Sequence, residues 1–284
     1  MTNLEGRTCL ITGAAGGLGR SMALAAAARG AELVLTDVDD AGLRRTADEV
    51  RDAGGTVRFS EAADVADRDA VGRLAERALA ATGGVDVVMN VAGVSVWGPV
   101  ERLDHRHWRR TVDINLMGPI HVIEAFVPPM IAAGRGGHLV NVSSAAGLFG
   151  LPWHAAYSAS KFGLRGVSEV LRFDLRRHRI AVSLVCPGAV ATPLVQSVEL
   201  VGIDRETPSA RRMVRLFTRH AVSPDRAARA VLRGVERDRY MVYTSADVRL
   251  GHLAQRLCPP LYAAAMHAMN RAFVLAVRRS ARRG

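Results

Sequence analysis

The sequence predicts an α/β fold, in which a doubly wound parallel sheet of about seven strands has helices on both faces and is followed by a C-terminal helical extension. Short apolar runs alternate with amphipathic helical stretches along most of the chain. The first of these runs leads into a glycine-rich loop and then a helix. Strands and helices that alternate in this way form a parallel sheet covered on both faces. With 284 residues, 49% of them hydrophobic, the chain can bury a core of that size.

The predicted strands are short apolar runs rich in β-branched residues. They lie at Thr8–Ile11, Glu32–Asp37, Val57–Phe59, Val85–Asn90, Gly137–Val142, Ile180–Cys186 and Arg239–Tyr243. Helices are predicted after the glycine loop through residue 29, over 41–53, 67–81, 105–133 and 157–178, and again after residue 224. We therefore expect one domain over residues 1–246, with a substrate-loop or lid region at about 192–222, and a basic amphipathic tail over 247–284.

The glycine-rich loop after the first strand runs from Thr12 to Gly19 and reads TGAAGGLG. Its glycines at 13, 17 and 19 form a G-x-x-x-G-x-G pattern, a relative of the dinucleotide-binding fingerprint. Glycine permits the positive φ of a tight turn and the close approach of a pyrophosphate, while the following helix supplies free N–H groups. The loop therefore predicts a dinucleotide site, and a glycine-rich turn without a ligand is the alternative.

Asp37 ends the second predicted strand. A carboxylate at this point can accept hydrogen bonds from both ribose hydroxyls of NAD, and it repels the 2′-phosphate of NADP. The next residue is Val38, so no cation follows directly to neutralise that phosphate. The sequence therefore favours NAD over NADP. The alternative is that Asp37 caps the helix predicted from Ala41.

Tyr157 and Lys161 are spaced so that they share one face of a helix. A cation close to a phenol favours the phenolate and lowers its pKa, which makes tyrosine a usable general acid/base. Lys161 is also the only lysine of the chain, and arginine supplies the other positive side chains. The pair therefore predicts proton-transfer chemistry, although the same spacing also arises by chance on helices.

Composition excludes several other classes of protein. The three cysteines, Cys9, Cys186 and Cys258, are widely spaced, which favours reduced thiols in a cytoplasmic protein over disulfides or a metal site. We expect no signal peptide and no membrane-spanning helix. The formal net charge of +11 is concentrated in the tail, where seven arginines face one acid, Asp247, so we expect no nucleic-acid partner.

Together, these motifs resemble the classical short-chain dehydrogenase/reductase family over about residues 6–246, with a Rossmann-type fold. The resemblance implies that the 12–19 loop binds the cofactor, through Gly13, Ala15, Gly17, Leu18 and Gly19. Three further segments are similar to family elements that contact it: Asp64-Val65 at the adenine, Asn90-Val91-Ala92-Gly93 as an NAG element with one residue inserted, and Pro187-Gly188-Ala189-Val190-Ala191-Thr192 at the nicotinamide carboxamide.

The family resemblance also assigns four catalytic roles. Asn115 lies in VDINLMG, and Ser144 is the second serine of NVSSAAG, at the family's distance from Tyr157. Tyr157 would transfer the hydroxyl proton, Lys161 would lower its pKa and hold the nicotinamide ribose, and Ser144 would bind the substrate oxygen. Asn115 would position a water that links Lys161 to solvent.

The resemblance therefore implies an oxidoreductase that transfers a hydride between NAD and a secondary alcohol or ketone. The alternatives are an NADPH-dependent carbonyl or 3-oxoacyl-type reductase and a non-catalytic nucleotide-sensing protein. Apolar residues around the expected pocket predict a hydrophobic substrate, such as a steroid, retinoid or lipid alcohol; the alternative is that they are ordinary core or interface residues. The candidate substrate contacts are Ser95, Trp97, Phe149, Trp153, His154 and Leu194, although His154 could be a loop histidine without a role. An arginine-rich amphipathic lid helix is expected near residues 211–219, and a solvated basic face is the alternative.

The tail carries an apolar stripe, beside which arginines recur. Its members are Tyr262, Met266, Met269, Phe273 and Val277. Such a helix is suited to an anionic membrane surface, but it could equally dock on its own domain or on a partner subunit. We expect a cytoplasmic homodimer or homotetramer. Peripheral contact with a membrane through residues 247–284 is a second, separate prediction.

Overall fold

The computed structural model describes residues 1–192, 198–202, 207 and 221–281, with side chains up to residue 275. The strands are β1 (Thr8–Thr12), β2 (Glu32–Asp37), β3 (Thr56–Ala62), β4 (Val87–Asn90), β5 (Val96–Trp97), β6 (Gly137–Val142), β7 (Ile180–Cys186), β8 (Glu199–Leu200) and β9 (Met241–Tyr243). Seven of them form one sheet in the order β3-β2-β1-β4-β6-β7-β9, and every pair is parallel. The remaining two, β5 and β8, pair separately.

The helices follow the strands as the alternation predicts. They are α1 (Gly17–Ala27), α2 (Asp40–Asp52), α3 (Arg68–Thr82), α4 (His105–Val112), α5 (Gly118–Ala133), α6 (Ala155–Asp174), α7 (Pro224–Glu236), α8 (Ala246–Leu257) and α9 (Pro259–Ala281). The predicted doubly wound parallel fold with a helical C-terminal region is therefore confirmed. The predicted lid region, including Leu194, lies for the most part outside the described residues.

Successive residues of the central strands pack into two different cores. In β1, Cys9 and Ile11 belong to one buried cluster and Leu10 to the other. In β2, Leu33 belongs to the first of these clusters and Val34 to the second. Because neighbouring side chains of a strand point to opposite faces, both faces of the sheet are apolar and both are covered. One core contains residues of α1, α2 and α7, and the other contains residues of α3 and α5.

Side-chain caps fix where several helices begin. Asp39 accepts a hydrogen bond from the Gly42 amide at the start of α2, and Asp67 accepts two at the start of α3. Ser223 caps α7, whose first residue is Pro224. Each cap satisfies amides that the first turn leaves free. Since Asp39 caps α2, the alternative in which Asp37 performs that task is wrong.

The predicted helix over 105–133 is helical throughout but not regular. A π-helical turn at Asp113–Met117 separates α4 from α5. Among the described residues, His105–Ala133 is the one helix long and apolar enough to span a membrane by length and hydropathy alone, a test that core helices also pass. In the fold it packs beside the sheet, with Val122 and Phe126 fully buried, so packing within the domain accounts for its apolar residues.

The tail forms two helices rather than one. The start of α8 packs on the sheet through Val248, which shares a buried cluster with Phe149 and Cys186. From α9, Tyr262 packs on the same cluster. Docking on its own domain, one of the three arrangements left open by the sequence, is therefore the one seen in the fold. All three cysteines are free thiols; Cys9 and Cys186 are buried and Cys258 is exposed.

Candidate active site

The first part of the site is a crevice between the carboxyl ends of β1 and β4, where the order of the strands reverses. The Thr12 hydroxyl accepts hydrogen bonds from the amides of Val91, at 3.0 Å, and Ala92, at 3.1 Å. Gly13 has a φ of +69°, and a Cβ there would lie 2.7 Å from the Cα of Ala92. The two loops therefore touch, and glycine is required at 13. Ligands of open α/β sheets bind at such a switch point.

The N-terminus of α1 faces this crevice with free amides. Among the described residues no side chain caps α1, and its first turn contains no acid. Gly17 takes a φ of +54°, and a Cβ on Gly19 would lie 1.9 Å from the Gly13 carbonyl oxygen. Uncapped amides at a helix N-terminus, with glycines packed tightly around them, fit the pyrophosphate of a dinucleotide. Ala15 lies in the same loop, and Leu18 lies in the first turn of α1.

Asp37 is held at the mouth of the crevice by two backbone amides. Its carboxylate accepts hydrogen bonds from Ala15, at 2.9 Å, and from Asp39, at 3.0 Å. The first of these bonds joins the end of β2 to the glycine loop. The carboxylate is thus fixed beside the loop, in the position that suits recognition of ribose hydroxyls.

The other residues expected at the cofactor follow strand ends at the same edge of the sheet. Asp64 and Val65 follow β3, and the Val65 carbonyl is 2.9 Å from Nδ1 of His121. Asn90 ends β4; its amide nitrogen donates to Asn141 at 2.9 Å, while its buried Oδ1 has no hydrogen-bond partner in the described part of the chain. The loop after β7 contains Pro187, Gly188, Val190 and Thr192.

Lys161 lies at the centre of the second part of the site. Its Nζ donates to the Val142 carbonyl oxygen at 2.9 Å, and the side chain is almost fully buried. Burial lowers the pKa of Lys161 to about 8, because the charged form loses its hydration. The ammonium is 5.9 Å from the centroid of the Tyr157 ring.

Tyr157 is buried in the first turn of α6, one turn before Lys161. Burial raises the pKa of its phenol above the ordinary value, and a hydrogen bond with the Ser144 hydroxyl acts in the opposite direction. Our expectation that Lys161 brings this pKa down toward neutrality is therefore wrong for the protein alone, because desolvation is the larger effect. The structure brings Ser144, Tyr157 and Lys161 together at the end of β6 and the start of α6.

The two neighbouring serines have different surroundings. The Ser143 hydroxyl donates to the Lys161 carbonyl oxygen at 3.0 Å and is buried. Ser144 precedes a short 3-10 turn and accepts a hydrogen bond from the Ala146 amide at 3.1 Å. Ser143 thus joins strand to helix, and Ser144 is the serine that faces Tyr157.

Asn115 lies in the π-helical turn and is fully buried. Its side chain bonds both backbone groups of Val94, at 2.8 and 2.9 Å, and donates to Ser160 at 3.2 Å. A Cβ on Gly93 would lie 3.0 Å from Asn115 Oδ1 and 3.5 Å from Lys161 Nζ. Only a residue without a side chain leaves the space between these two groups open.

The predicted substrate residues surround the loop between Ser144 and Tyr157. The indole N–H of Trp97 donates to Ser95 at 2.7 Å. The His154 ring packs at a tilt of 38° against Trp97, with 4.6 Å between ring centroids, and its centroid is 6.3 Å from that of the Tyr157 ring. Burial lowers the pKa of His154 to about 4, so its neutral ring donates from Nδ1 to the Pro152 carbonyl at 2.7 Å. Phe149 is buried beneath the tail helices, and Trp153 contacts α9.

Several residues that hold the site were not identified from the sequence. These are Thr12, Val142 and Ser160, which position backbone and side chains by hydrogen bonds, and Tyr262 and Phe273 of α9, which contact the loop before Tyr157. The apolar stripe of the tail was the available signal for the last two. No group of three or more metal-ligating side chains occurs in the part of the chain that the structure describes.

Comparison with known proteins agrees with this geometry. The family model for short chain dehydrogenases matches residues 7–200. A Mycobacterium tuberculosis protein named as an oxidoreductase, SadH, is 33% identical over 264 residues, which is 92% of this chain and 94% of SadH. The 1-deoxy-11-beta-hydroxypentalenate dehydrogenase of Streptomyces avermitilis is 35% identical, over 88% of this chain and 89% of its own length.

Similar solved structures also belong to short-chain dehydrogenases, and some contain NAD whereas others contain NADP. A short chain dehydrogenase/reductase from Burkholderia phymatum in complex with NAD has a TM-score of 0.81 and 31% identity, and the match covers 90% of this chain and 96% of that one. A metagenomic short-chain oxidoreductase in complex with NADP has a TM-score of 0.67 and 34% identity, with coverage of 85% and 97%. The chain therefore belongs to the short-chain dehydrogenase/reductase family and is an oxidoreductase with an NAD(P)-binding Rossmann fold.

Proposed function

We propose that this oxidoreductase transfers a hydride between NAD and a hydrophobic secondary alcohol or ketone, with Tyr157 as general acid/base. The observation that carries the proposal is the group of Ser144, Tyr157 and Lys161 beside the dinucleotide crevice. The nicotinamide, when bound, exchanges the hydride with the substrate carbon. The protein has to bind the substrate oxygen and move one proton at that oxygen.

Tyr157 would move that proton, and its neighbours prepare it to do so. Because burial raises the pKa of the phenol, Tyr157 is protonated at neutral pH in the free protein, and this form protonates a ketone oxygen. Oxidation of an alcohol needs the phenolate and hence a higher pH. The Ser144 hydroxyl would donate a hydrogen bond to the substrate oxygen and stabilise its developing negative charge. Lys161 would hold the nicotinamide ribose, and Asn115 fixes the Val94 backbone beside it.

NAD is proposed as the preferred cofactor because of Asp37. Two amides fix its carboxylate beside the glycine loop, and a 2′-phosphate would meet this negative charge at close range. The neighbouring Val38 is exposed and adds no positive charge. An NADPH-dependent carbonyl or 3-oxoacyl reductase is the alternative, and the two are distinguished by cofactor affinity.

A hydrophobic substrate is proposed because aromatic rings surround the approach to Tyr157. The rings of Trp97 and His154 pack together, His154 lies 6.3 Å from the Tyr157 ring, and Trp153 precedes His154 in the same loop. Their faces favour an apolar body attached to the reacting carbinol or carbonyl. A steroid, retinoid or lipid alcohol has that chemistry. In this proposal residues 1–246 form the catalytic domain and 247–284 an appended tail.

We also propose a cytoplasmic homodimer or homotetramer. The outer face of α6 presents three exposed apolar side chains, Phe162, Val170 and Phe173, of which the last is 63% exposed. They recur at helical spacing and form one stripe. An exposed apolar stripe of this kind suits burial against a second copy.

A second exposed apolar surface supports peripheral membrane contact. All the exposed leucines that the structure describes lie on the tail helices: Leu250, Leu253, Leu257, Leu261 and Leu275. Arginines stand beside them, and seven lie between residues 249 and 283. A second copy would bring the same positive charge, whereas an anionic bilayer supplies the opposite charge together with an apolar interior. The bilayer is therefore the occupant we propose.

The Tyr157→Phe variant tests the proton-transfer role. We expect kcat for a hydrophobic secondary alcohol to fall by about 100-fold or more, because the substituted side chain cannot carry the proton, while the dissociation constant of NAD stays within about twofold. NADH absorbance measures turnover, and Tyr240→Phe is the matched control because the buried Tyr240 hydroxyl has no hydrogen-bond partner among the described residues. Near-normal turnover by Tyr157→Phe would refute the assignment.

The dissociation constants of NADH and NADPH test the cofactor preference. We expect NADPH to bind at least about tenfold more weakly, because the Asp37 carboxylate repels its 2′-phosphate. Asp37→Asn keeps an acceptor oxygen for one of the two amides and removes the charge. It should therefore reduce the ratio of the NADPH to the NADH dissociation constant, and adding Val38→Arg should reduce that ratio further. Fluorescence titration of each nucleotide measures both constants. Equal or tighter binding of NADPH by the unaltered protein contradicts the NAD assignment.

Co-sedimentation with vesicles tests the membrane contact. We expect the full-length protein to bind vesicles that contain phosphatidylserine more tightly than neutral vesicles, and 0.5 M salt to weaken this binding by screening the arginines. The Leu253→Glu, Leu257→Glu double variant should lose most of the binding, whereas Val100→Glu, an exposed apolar residue outside the tail, should keep it. Equal binding by the double variant and the unaltered protein would exclude this surface.

A further inference from the structure

The loop before Tyr157 contains a residue in an unfavourable backbone conformation. Trp153 has a φ of 67°, in the left-handed region that large side chains adopt only when their surroundings enforce it. Two contacts from different directions hold it. Its carbonyl accepts a hydrogen bond from the Gly98 amide at 2.9 Å, and its ring packs on Phe273 of α9 with 5.3 Å between centroids.

The same helix also holds the beginning of this loop. The Tyr262 hydroxyl donates to the Gly150 carbonyl oxygen at 2.8 Å. Its ring meets the ring of Phe149 edge to face, with 6.4 Å between centroids and 73° between planes. Tyr262 and Phe273 are about three turns apart on one face of α9, which spans about 16 Å. One rigid element therefore contacts both ends of the loop.

Within the loop, the backbone hydrogen bonds are short-range. Phe149 donates to the Ala145 carbonyl at 3.1 Å, and His154 donates to the Leu151 carbonyl at 3.2 Å. Neither bond joins the first half of the loop to the second. The contacts with α9 make that connection, so the shape of the loop depends on the tail.

The end of the loop leads directly to the reacting group. Trp153 is followed by His154, which packs between the Trp97 ring at 4.6 Å and the Tyr157 ring at 6.3 Å. A shift of Trp153 would move His154 along the wall beside Tyr157. The cofactor crevice lies at the end of β1, and among the described residues it has no ring contact with α9.

We propose that α9 is a positioning element of the substrate site, in which Tyr262 and Phe273 hold the 149–154 loop as a wall beside Tyr157 and thereby set the affinity for a hydrophobic alcohol or ketone. The inference rests on the proposed function, since it assumes that this wall faces the substrate. It assigns the face of α9 that contains Tyr262 and Phe273 to substrate selection, and the exposed leucines of α8 and α9 take no part in it. The tail then helps to determine which substrates the enzyme binds.

Two substitutions in the full-length protein test this role. Tyr262→Phe removes only the hydroxyl that bonds Gly150, and we expect KM for a hydrophobic secondary alcohol to rise about threefold. Phe273→Ala removes the ring that supports Trp153, and we expect a rise of about tenfold. In both variants kcat and the dissociation constant of NAD should change by less than about twofold. Phe273→Tyr keeps a ring and should restore a KM close to that of the unaltered protein.

A matched control comes from the outer side of the same helix. His267 is exposed on α9, and His267→Ala should leave KM unchanged, with thermal unfolding midpoints recorded for every variant. An unchanged KM in both Tyr262→Phe and Phe273→Ala overturns the inference, as does a parallel loss of NAD affinity, which indicates general damage. If the unaltered protein turns over no hydrophobic alcohol or ketone, the proposed function fails instead, and the two failures are therefore distinguishable.

Discussion

The candidate site depends on two hydrogen bonds made by the single lysine of the chain. Lys161 donates from its ammonium to the Val142 carbonyl, and its own carbonyl accepts a hydrogen bond from the Ser143 hydroxyl. The end of β6 is thereby fixed to α6 through both side chain and backbone. Because Ser144 follows Ser143 and Tyr157 lies one turn before Lys161, this connection sets the relative positions of the Ser144 and Tyr157 hydroxyls. A buried ammonium opposes folding, since it gives up its hydration. Lys161 therefore positions the Ser144 and Tyr157 hydroxyls at a cost in the stability of the fold.

Much of the fold could be predicted because its strands are apolar runs with clear ends. The bounds of β2, β6 and β7 agree with those read from the sequence. Strand β3 is longer than predicted, because it lies at the sheet edge and continues through polar residues that give no hydrophobic signal. The pairing of β5 with β8 joins two-residue segments far apart in the chain, and no local pattern indicates such a pair.

The residues of the site could be predicted from the sequence, but their burial, pKa shifts and tertiary contacts could not. Spacing and family resemblance assign roles to Asn115, Ser144, Tyr157 and Lys161, and the fold brings the last three together. The pKa of Tyr157 was predicted in the wrong direction, because a neighbouring charge can be read from the sequence whereas desolvation depends on tertiary burial. Likewise, the tail stripe indicated a helix with one apolar face, but only the structure identified Phe149, Gly150 and Trp153 as its contacts.

Burial, more than any neighbouring charge, sets the pKa of Tyr157 in the free protein and raises it. The most direct test is an NMR titration of protein labelled with ¹³C at Cζ of its tyrosines, in which the Tyr157→Phe spectrum assigns the resonance. We expect the pKa of Tyr157 to lie above that of an ordinary tyrosine, because burial disfavours the phenolate. A Tyr157 resonance that titrates near neutral pH in the absence of cofactor would contradict the account.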